Sequence, residues 1–343
     1  MSIWAMIVEG LTTTPWQLGA ALILDVALGD PRRLPHPAKW TGAMAARMET
    51  VLVKWLGRTV GAGFMFWAVI CLGQGALVIV MAFWLPSPIW WVIETWLIYQ
   101  CFAALDMHRH VRAILRPLAQ GDLPEARSKL GWIVGRDTTL LSETEVCRAT
   151  VESVGESACD ALMAPLFWSA VGGPFGAVVY RATNTLDSIV GHRGERYEKF
   201  GKTSARMDDA LNWIPARLVA LLSAPGKLMT FHRESQAHRS PNAGWGEAAV
   251  AWATGVRLGG INFYEGEALE GPTFNENGRE PDQAAVASSL RWWWQLVFAG
   301  IHTAIVIFYI LCAKQKKNDL VSKAEGFRYI PVKGRVKAPP PLG

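Results

Sequence analysis

The chain has 343 residues, of which 51% are apolar and 17 are tryptophan, and whole segments carry no charge; this points away from a pair of soluble domains and toward an integral membrane protein. The net charge of +5 does not signify nucleic-acid binding, because residues 314–343 hold eight Lys and Arg against Asp319 and Glu325, leaving this tail at +6 and the rest near −1. A basic patch that starts just after an apolar segment is an orientation or lipid-contact signal, so membrane lipid, and no nucleic acid, is the expected partner. Cys71, Cys101, Cys147, Cys159 and Cys312 show no CxxC and no paired metal spacing, and read as small core residues without a disulfide framework. Residues 1–11 carry only Glu9 and lack the basic start and cleavage site of a signal peptide, so the first apolar run is expected to be retained.

In chain order, residues 15–29 are a short apolar segment containing Asp25. GDPRRLPHPAKW at 29–40 is a proline-fixed turn with Arg32, Arg33, His36 and Lys39 at a membrane edge. Residues 62–85 are 24 positions without a charged side chain, and residues 292–313 are 22 with only His302; each can cross about 30 Å of hydrocarbon. Residues 89–105, interrupted by Glu94, are a third candidate, and Trp90, Trp91, Trp292, Trp293 and Trp294 sit at segment ends, where such rings favour the headgroup level. The polar region 106–159 is expected to hold amphipathic helices near 123–130 and 142–160, the second capped by Ser142. Residues 161–180 are long enough to span, but Pro165, Gly172, Gly173 and Pro174 break them. Such breaks are tolerated where they are buried or line a cavity, so this segment is expected to fold back as a re-entrant element.

Residues 211–224, which include Arg217, read as half-buried or re-entrant, and residues 225–291 as polar and rich in Gly and Asn. The loop between the second and third segments has no basic residue, whereas Arg47, Lys54 and Arg58 precede the pair and Arg109, Arg112 and Arg116 follow it. This places residues 29–61 and the region after Asp106 in the cytoplasm. The expected fold is an all-α polytopic membrane protein with about four to six membrane-embedded helices, some broken or re-entrant, and helical cytoplasmic loops. Residues 1–313 would be one membrane domain and 314–343 a basic, flexible tail.

Residues 131–217 alternate strips of charge with apolar sequence. Glu152, Glu156 and Asp160, spaced by four, share one helical face just before an uncharged run. Ionisable groups at a membrane boundary are functional candidates, although a solvated helix face explains the spacing equally well. Asn184 and Asp187 in ATNTLDS, and Asp208 and Asp209 in RMDDALN, add hard oxygen donors of the kind that Mg²⁺ and a metal-bound polyphosphate require. Arg136, Arg181, Arg193, Arg196, Arg206 and Arg217 lie in or beside the same stretches; guanidinium forks suit phosphate and carboxylate, while simple ion pairing is the commoner role. GRDT at 135–138 reads as a turn feeding a helix, where amides could meet an anion. GERYEKFGKT at 194–203 fails Walker A spacing, since Arg196 stands in the place of the first glycine. HRSPN at 238–242 gathers His238, a hydroxyl and Asn242 around a proline turn, an arrangement suited to holding a substrate or acting as a base, and also to a simple capped turn.

Six motifs in order then resemble the adenosylcobinamide-phosphate synthase family of cobalamin biosynthesis, the CbiB/CobD type. They are LDVALGDPRRLPHP at 24–37, KLGWIVGRDT at 129–138, AVVYRATNTLDSIVGHRGERY at 177–197, ARMDDALNWIPARL at 205–218, HRSPNAGWGEAAVA at 238–251 and GVRLGG at 255–260. The resemblance covers roughly residues 18–313 and departs where the family's AEN-type run becomes Gly155, Glu156 and Ser157, followed by Asp160 and Ala161. It implies a ligase at the bacterial inner (plasma) membrane, its site facing the cytoplasm, that joins adenosylcobyric acid to (R)-1-amino-2-propanol or its O-phosphate. ATP would be the co-substrate and Mg²⁺ the cofactor, with a homo-oligomer or other corrinoid-pathway proteins as further partners. Within the motifs, Glu152, Glu156, Asp160 and His238 are the expected catalytic groups, and Arg136, Asp137, Arg181, Asn184, Asp187, Arg217 and Asn242 the substrate or ATP ligands. Glu156, Asp160, Asp187, Asp208 and Asp209 are the expected metal ligands. The alternatives are a non-catalytic membrane sensor or corrinoid carrier of the same fold and, less well matched, an intramembrane prenyltransferase, whose aspartate-rich spacing Asn184 and Asp187 do not meet.

Overall fold

Helices dominate the computed structural model, which describes residues 13–31, 36–191, 194, 196–264 and 266–328; Arg32, Arg33 and Arg193 lie outside these. Helix α1 (Pro15–Leu28) starts where Thr14 and Gln17 cap each other's backbone and ends at Gly29, whose φ of 67° suits a residue without Cβ. α2 (Pro37–Leu56) begins at a proline behind His36, which caps its first turn. α3 (Val60–Trp84) and α4 (Ser87–Tyr99) follow, joined across Leu85 and Pro86. α5 (Ala104–Ala119) is capped from a distance: Asp25 of α1 accepts from the amides of Ala104 and Leu105 at 2.9 and 3.3 Å. α6 (Leu123–Leu130) and α7 (Glu143–Ser157) form where expected, and Ser142 and Glu145 close a capping box at the start of α7.

After α7 the helix widens into a π segment, Ala158–Met163, and continues as α8 (Ala164–Val190). Gly173 interrupts α8 with φ 57° and ψ −150°, a conformation open essentially to glycine alone. The chain reverses there. Asn184 Nδ2 lies 3.1 Å from Asp160 Oδ2 although 24 residues separate them, a distance that a straight helix would stretch to about 36 Å. A Cβ on Gly176 would sit 2.5 Å from the Trp168 carbonyl, which marks how closely the two limbs approach beside the turn. The expected fold-back is therefore present, with its break at Gly173, while Pro165 merely starts the first limb.

The returning limb runs along α3. Its tip residue Val178 packs with Val78, Trp90 and Leu97, and its far end, Ala182, Leu186 and Val190, packs with Phe66 and Ile70 of α3 and Ala45 and Leu52 of α2. The first limb joins a larger core with α5, α7 and later helices around Val154, Leu162, Ala249 and Trp293.

α9 (Lys202–Ser223) is one continuous helix, so residues 211–224 form no separate re-entrant element and share a rod with Asp208 and Asp209. α10 (Leu228–Ser235) and α11 (Ala243–Thr254) precede a feature the all-α expectation lacks: β1 (Leu258–Tyr264) and β2 (Glu267–Phe274) pair antiparallel, with a bulge between Gly259 and Ile261. Gly266 at φ 80° turns this hairpin. α12 (Gln283–Arg328) then runs past residue 314 without a break. Among the described residues two helical stretches are long and apolar enough to cross a membrane, Val60–Trp84 and Glu143–Val190, the second of which is the hairpin bent at Gly173. The architecture is thus mainly helical with two such stretches among the described residues.

Gly173→Ala should lower the thermal unfolding midpoint in detergent by the equivalent of about 1–3 kcal/mol, because alanine cannot hold that backbone conformation. A midpoint equal to wild type would show that the reversal does not depend on Gly173.

Candidate functional site

The reversal gathers the polar motifs at the open end of the hairpin around two adjoining cavities. The narrower, about 280 Å³, is lined by Glu156, Asp160, Asp187, Asp208, Asp209, Asn212, His238, Arg239 and Asn242. The wider, about 690 Å³, is lined by Trp132, Ile133, Val134, Arg136, Glu152, Glu156, Asp160, Asn184, Asp187 and Glu247. Glu156, Asp160, Asp187 and Gly191 belong to both linings and form the partition. Glu152, Glu156 and Asp160 therefore line one wall, as their spacing predicts, and Asp160 sits in the π segment, a distortion frequent at functional sites.

Carboxylates so close together need donors or cations between them. Asn184 Nδ2 donates to Asp160 Oδ2 at 3.1 Å and to Asp208 Oδ1 at 3.3 Å, and Asn212 Nδ2 donates to Asp208 Oδ2 at 2.9 Å. Tyr180 in turn donates to Asn212 Oδ1 at 2.9 Å, which fixes that amide's orientation. Burial, followed by the charges of Asp160 and Asp187, pushes Asp208 well above the usual carboxylate range. Asp209 receives the Ser240 hydroxyl at 3.3 Å, and its carbonyl accepts from Asn242 Nδ2 at 2.7 Å, which ties the HRSPN turn to α9. Gly191 is required beside Asp187: a Cβ there would lie 1.9 Å from Asp187 Oδ1.

α7 and α11 cross almost backbone to backbone. A Cβ on Gly246 would be 2.2 Å from the Gly155 carbonyl, and one on Gly155 would be 2.8 Å from the Gly246 carbonyl. The next residue of each helix, Glu156 and Glu247, is thereby brought into the lining of the wider cavity. Glu247 Oε1 is 3.4 Å from His238 Nε2, and the Ser240 amide donates to His238 Nδ1 at 3.0 Å.

Other expected groups serve different purposes. Glu152 accepts from Arg136 Nη2 at 2.5 Å and from the Gly259 amide at 2.8 Å, and Arg136 Nη1 donates to Asn262 at 2.6 Å. Arg148 adds bonds to the carbonyls of Gly259 and Ile261 at 2.6 and 2.9 Å. Together these bolt the β-hairpin over the wider cavity. GRDT does not feed a helix, since α7 starts later, behind Ser142; Asp137 instead accepts from the Gly266 amide at 2.9 Å and holds the hairpin turn. Arg217 lines neither cavity. Its guanidinium lies between the rings of Trp213 and Trp245, at 4.5 and 4.8 Å, and donates to Asn242 Oδ1 at 2.8 Å. Arg181 also lines neither; its charge acts on Asp160 and His36, and its buried Nε has no hydrogen-bond partner among the described residues.

A family model described as CobD/CbiB protein matches residues 18–293. The chain belongs to the CobD/CbiB family. It is 39% identical over 290 residues to cobalamin biosynthesis protein CobD of Klebsiella pneumoniae, covering 80% of this chain and 91% of that one. It is 41% identical over 282 residues to CobD of Rhodobacter capsulatus, covering 79% and 90%. Against cobalamin biosynthesis protein CbiB of Salmonella typhimurium it is 36% identical over 300 residues, covering 83% and 93%. No solved structure matches. In this family member the sequence motifs alone did not single out Glu247, Arg239 or Trp132. The available signal for Glu247 is that it is the one charged residue of α11, AGWGEAAVAWAT.

Gly246→Ala should push α7 and α11 apart at a cost of about 1–3 kcal/mol, read as a lower melting midpoint, whereas Gly135→Ala, with nothing within 4 Å of its added Cβ, should leave the midpoint unchanged. Equal midpoints for the two variants would refute the tight crossing.

Proposed function

We propose that this protein is an ATP- and Mg²⁺-dependent amide synthase of cobalamin biosynthesis, joining adenosylcobyric acid to (R)-1-amino-2-propanol or its O-phosphate. The observation that carries this is convergence: stretches from four motifs spread over residues 129–251 line two cavities that share a wall, in a chain whose relatives are named cobalamin biosynthesis proteins. The wider cavity sets the apolar Trp132, Ile133 and Val134 against Arg136 and three glutamates, which suits the edge of a bulky corrinoid bearing a carboxylate. The narrower one is acidic, with Arg239 at its lining, and suits cationic or metal-bound groups.

A carboxylate is a poor acylating agent at neutral pH. Phosphorylation by ATP turns its oxygen into a leaving group, and the amine then displaces phosphate. Asp160, Asp187 and Asp208 offer hard oxygens along the narrower cavity, and among the described residues no three His, Cys, Asp or Glu groups are disposed to hold a metal by themselves, so an ion there would need water and phosphate oxygens as well. This is how Mg²⁺ is commonly held, by one or two carboxylates with water and substrate phosphates completing its shell. Bound there, it would neutralise polyphosphate charge. Arg136, its guanidinium plane fixed by Glu152 and Asn262, is placed to orient an anion at the mouth of the wider cavity. The basic Lys54 and Arg58 lie next to the start of α3, the end that packs beside Val190, while Leu85 and Pro86 at its other end carry no charge. That asymmetry supports an inner-membrane orientation with the site facing the cytoplasm.

Purified protein in detergent, given ATP, Mg²⁺, cobyric acid and aminopropanol phosphate, should form the amide. No product beside an active relative overturns the proposal, and corrinoid binding without ATP turnover would favour a carrier. Asp208→Asn should reduce amide formation by about 100-fold, the scale of losing one electrostatic stabiliser. Its melting midpoint should fall only modestly, by the equivalent of about 1–3 kcal/mol, because the new amide nitrogen faces one of the donors that Asp208 now satisfies; failure to fold would instead mark Asp208 as structural. In a Cys312→Ser background, Ser188→Cys, exposed near the end of α8, should react with an impermeant thiol reagent only from the cytoplasmic side, and periplasmic labelling would reverse the orientation.

A further inference from the structure

We infer that Glu247 is a further catalytic residue, the base that takes the proton from the incoming ammonium group, with His238 as its positioning residue. This rests on the amide-synthase reading above. An alkylammonium holds its proton with a pKa of about 10, like a lysine side chain, and has no lone pair with which to attack. The site therefore needs an unsaturated acceptor facing the wider cavity. Glu152 does not fit the role, since its two oxygens are taken up by Arg136 and by the Gly259 amide. Asp160 is bonded to Asn184 and, with Glu156 and Asp187, forms the partition, while Asp208 lines only the narrower cavity, bonded to Asn184 and Asn212.

Glu247 fits on three grounds. It is the only charged side chain of an otherwise apolar helix, and the close crossing of Gly246 and Gly155 brings it into the lining of the wider cavity. Its partner is directional: a backbone amide can only donate, so in the neutral ring the Ser240 N–H at 3.0 Å pairs with an unprotonated His238 Nδ1 and leaves the ring proton on Nε2, 3.4 Å from Glu247 Oε1. Third, the pair straddles the partition, His238 lining the narrower cavity and Glu247 the wider. If the ring gains a second proton, the Ser240 carbonyl, 3.2 Å from Nδ1, can accept it.

The groups facing Glu247 are His238 from the HRSPN turn and Glu152 and Glu156 from α7. Burial, opposed by the His238 hydrogen bond and reinforced by the two glutamate charges, pushes Glu247 up to about 7, where a base works best at neutral pH. Burial alone would pull His238 down, but its bond to Glu247 raises it above the usual histidine value.

The balance is simple. Glu247 removes one proton from R–NH₃⁺; the nitrogen lone pair forms the C–N bond to the acyl carbon as the C–O bond to phosphate breaks, its electron pair leaving on phosphate. Of the two protons the nitrogen sheds, one departs on hydrogenphosphate and one passes through Glu247 to solvent.

Hydroxylamine provides the test, because it is uncharged at neutral pH and attacks an acyl phosphate without a base. With ATP, Mg²⁺ and cobyric acid, wild-type protein should make both the hydroxamate from hydroxylamine and the amide from aminopropanol. Glu247→Gln should lose amide formation by about 10²–10⁴-fold while still making hydroxamate. His238→Ala removes the bond that lowers the Glu247 pKa, so the acidic limb of its kcat/KM profile for the amine should move to higher pH. Glu247→Gln that couples aminopropanol at the wild-type rate, or that loses both products equally, overturns the assignment of the base; an unmoved profile in His238→Ala overturns the positioning role. Wild-type protein that makes neither product removes the synthase reading and the base with it, a pattern distinct from the others.

Discussion

Everything at the site depends on one backbone conformation, that of Gly173. Were the helix from Glu143 to Val190 straight, Asp160 and Asn184 would stand at opposite ends of a rod; because it reverses, they share a hydrogen bond. The apolar sequence of the two limbs explains what holds the reversal in place, since each limb buries a face against α3 and α4 or against the larger helical core. The polar ends of both limbs then emerge together. A backbone that breaks its hydrogen-bond ladder is tolerated in such a setting only where protein surrounds it, and Gly173 is buried.

The second constraint is electrostatic. Glu152, Glu156, Asp160, Asp187, Asp208, Asp209 and Glu247 line two small spaces that touch. The amides of Asn184 and Asn212 and the cations Arg136, Arg148, Arg181 and Arg239 offset only part of that charge. Folding alone gains little from so many carboxylates in one place, whereas a bound cation or an ammonium ion gains a great deal. Glycines set the spacing: at Gly155 and Gly246 two helices touch through their backbones, and at Gly191 the chain passes close under the Asp187 carboxylate.

Within this frame the arginines divide. Arg136 stays at the cavity and is held in plane, while Arg217 is spent on stacking between two tryptophans and tying the HRSPN turn to α9. Both occur in motifs that sequence alone treats alike. The difference is which helices lie next to them, and the β-hairpin, absent from the expected fold, decides the fate of Arg136, Asp137 and Glu152 by supplying Asn262 and the amides of Gly259 and Gly266.

Local chemistry was legible in the sequence. Ser142 and Glu145 cap α7 because a cap needs only neighbours three residues apart, the apolar run after Ala62 makes a helix whatever surrounds it, and the Gly172 to Pro174 break announced a reversal. The six motifs likewise fixed the family, because their order is a property of the chain. What only the tertiary structure decided was which carboxylates meet. His238 and Glu247 are nine positions apart across a turn, and Glu156 and Glu247 lie on different helices. Their approach follows from glycine contacts and helix crossings between segments distant in sequence, and no local spacing encodes those.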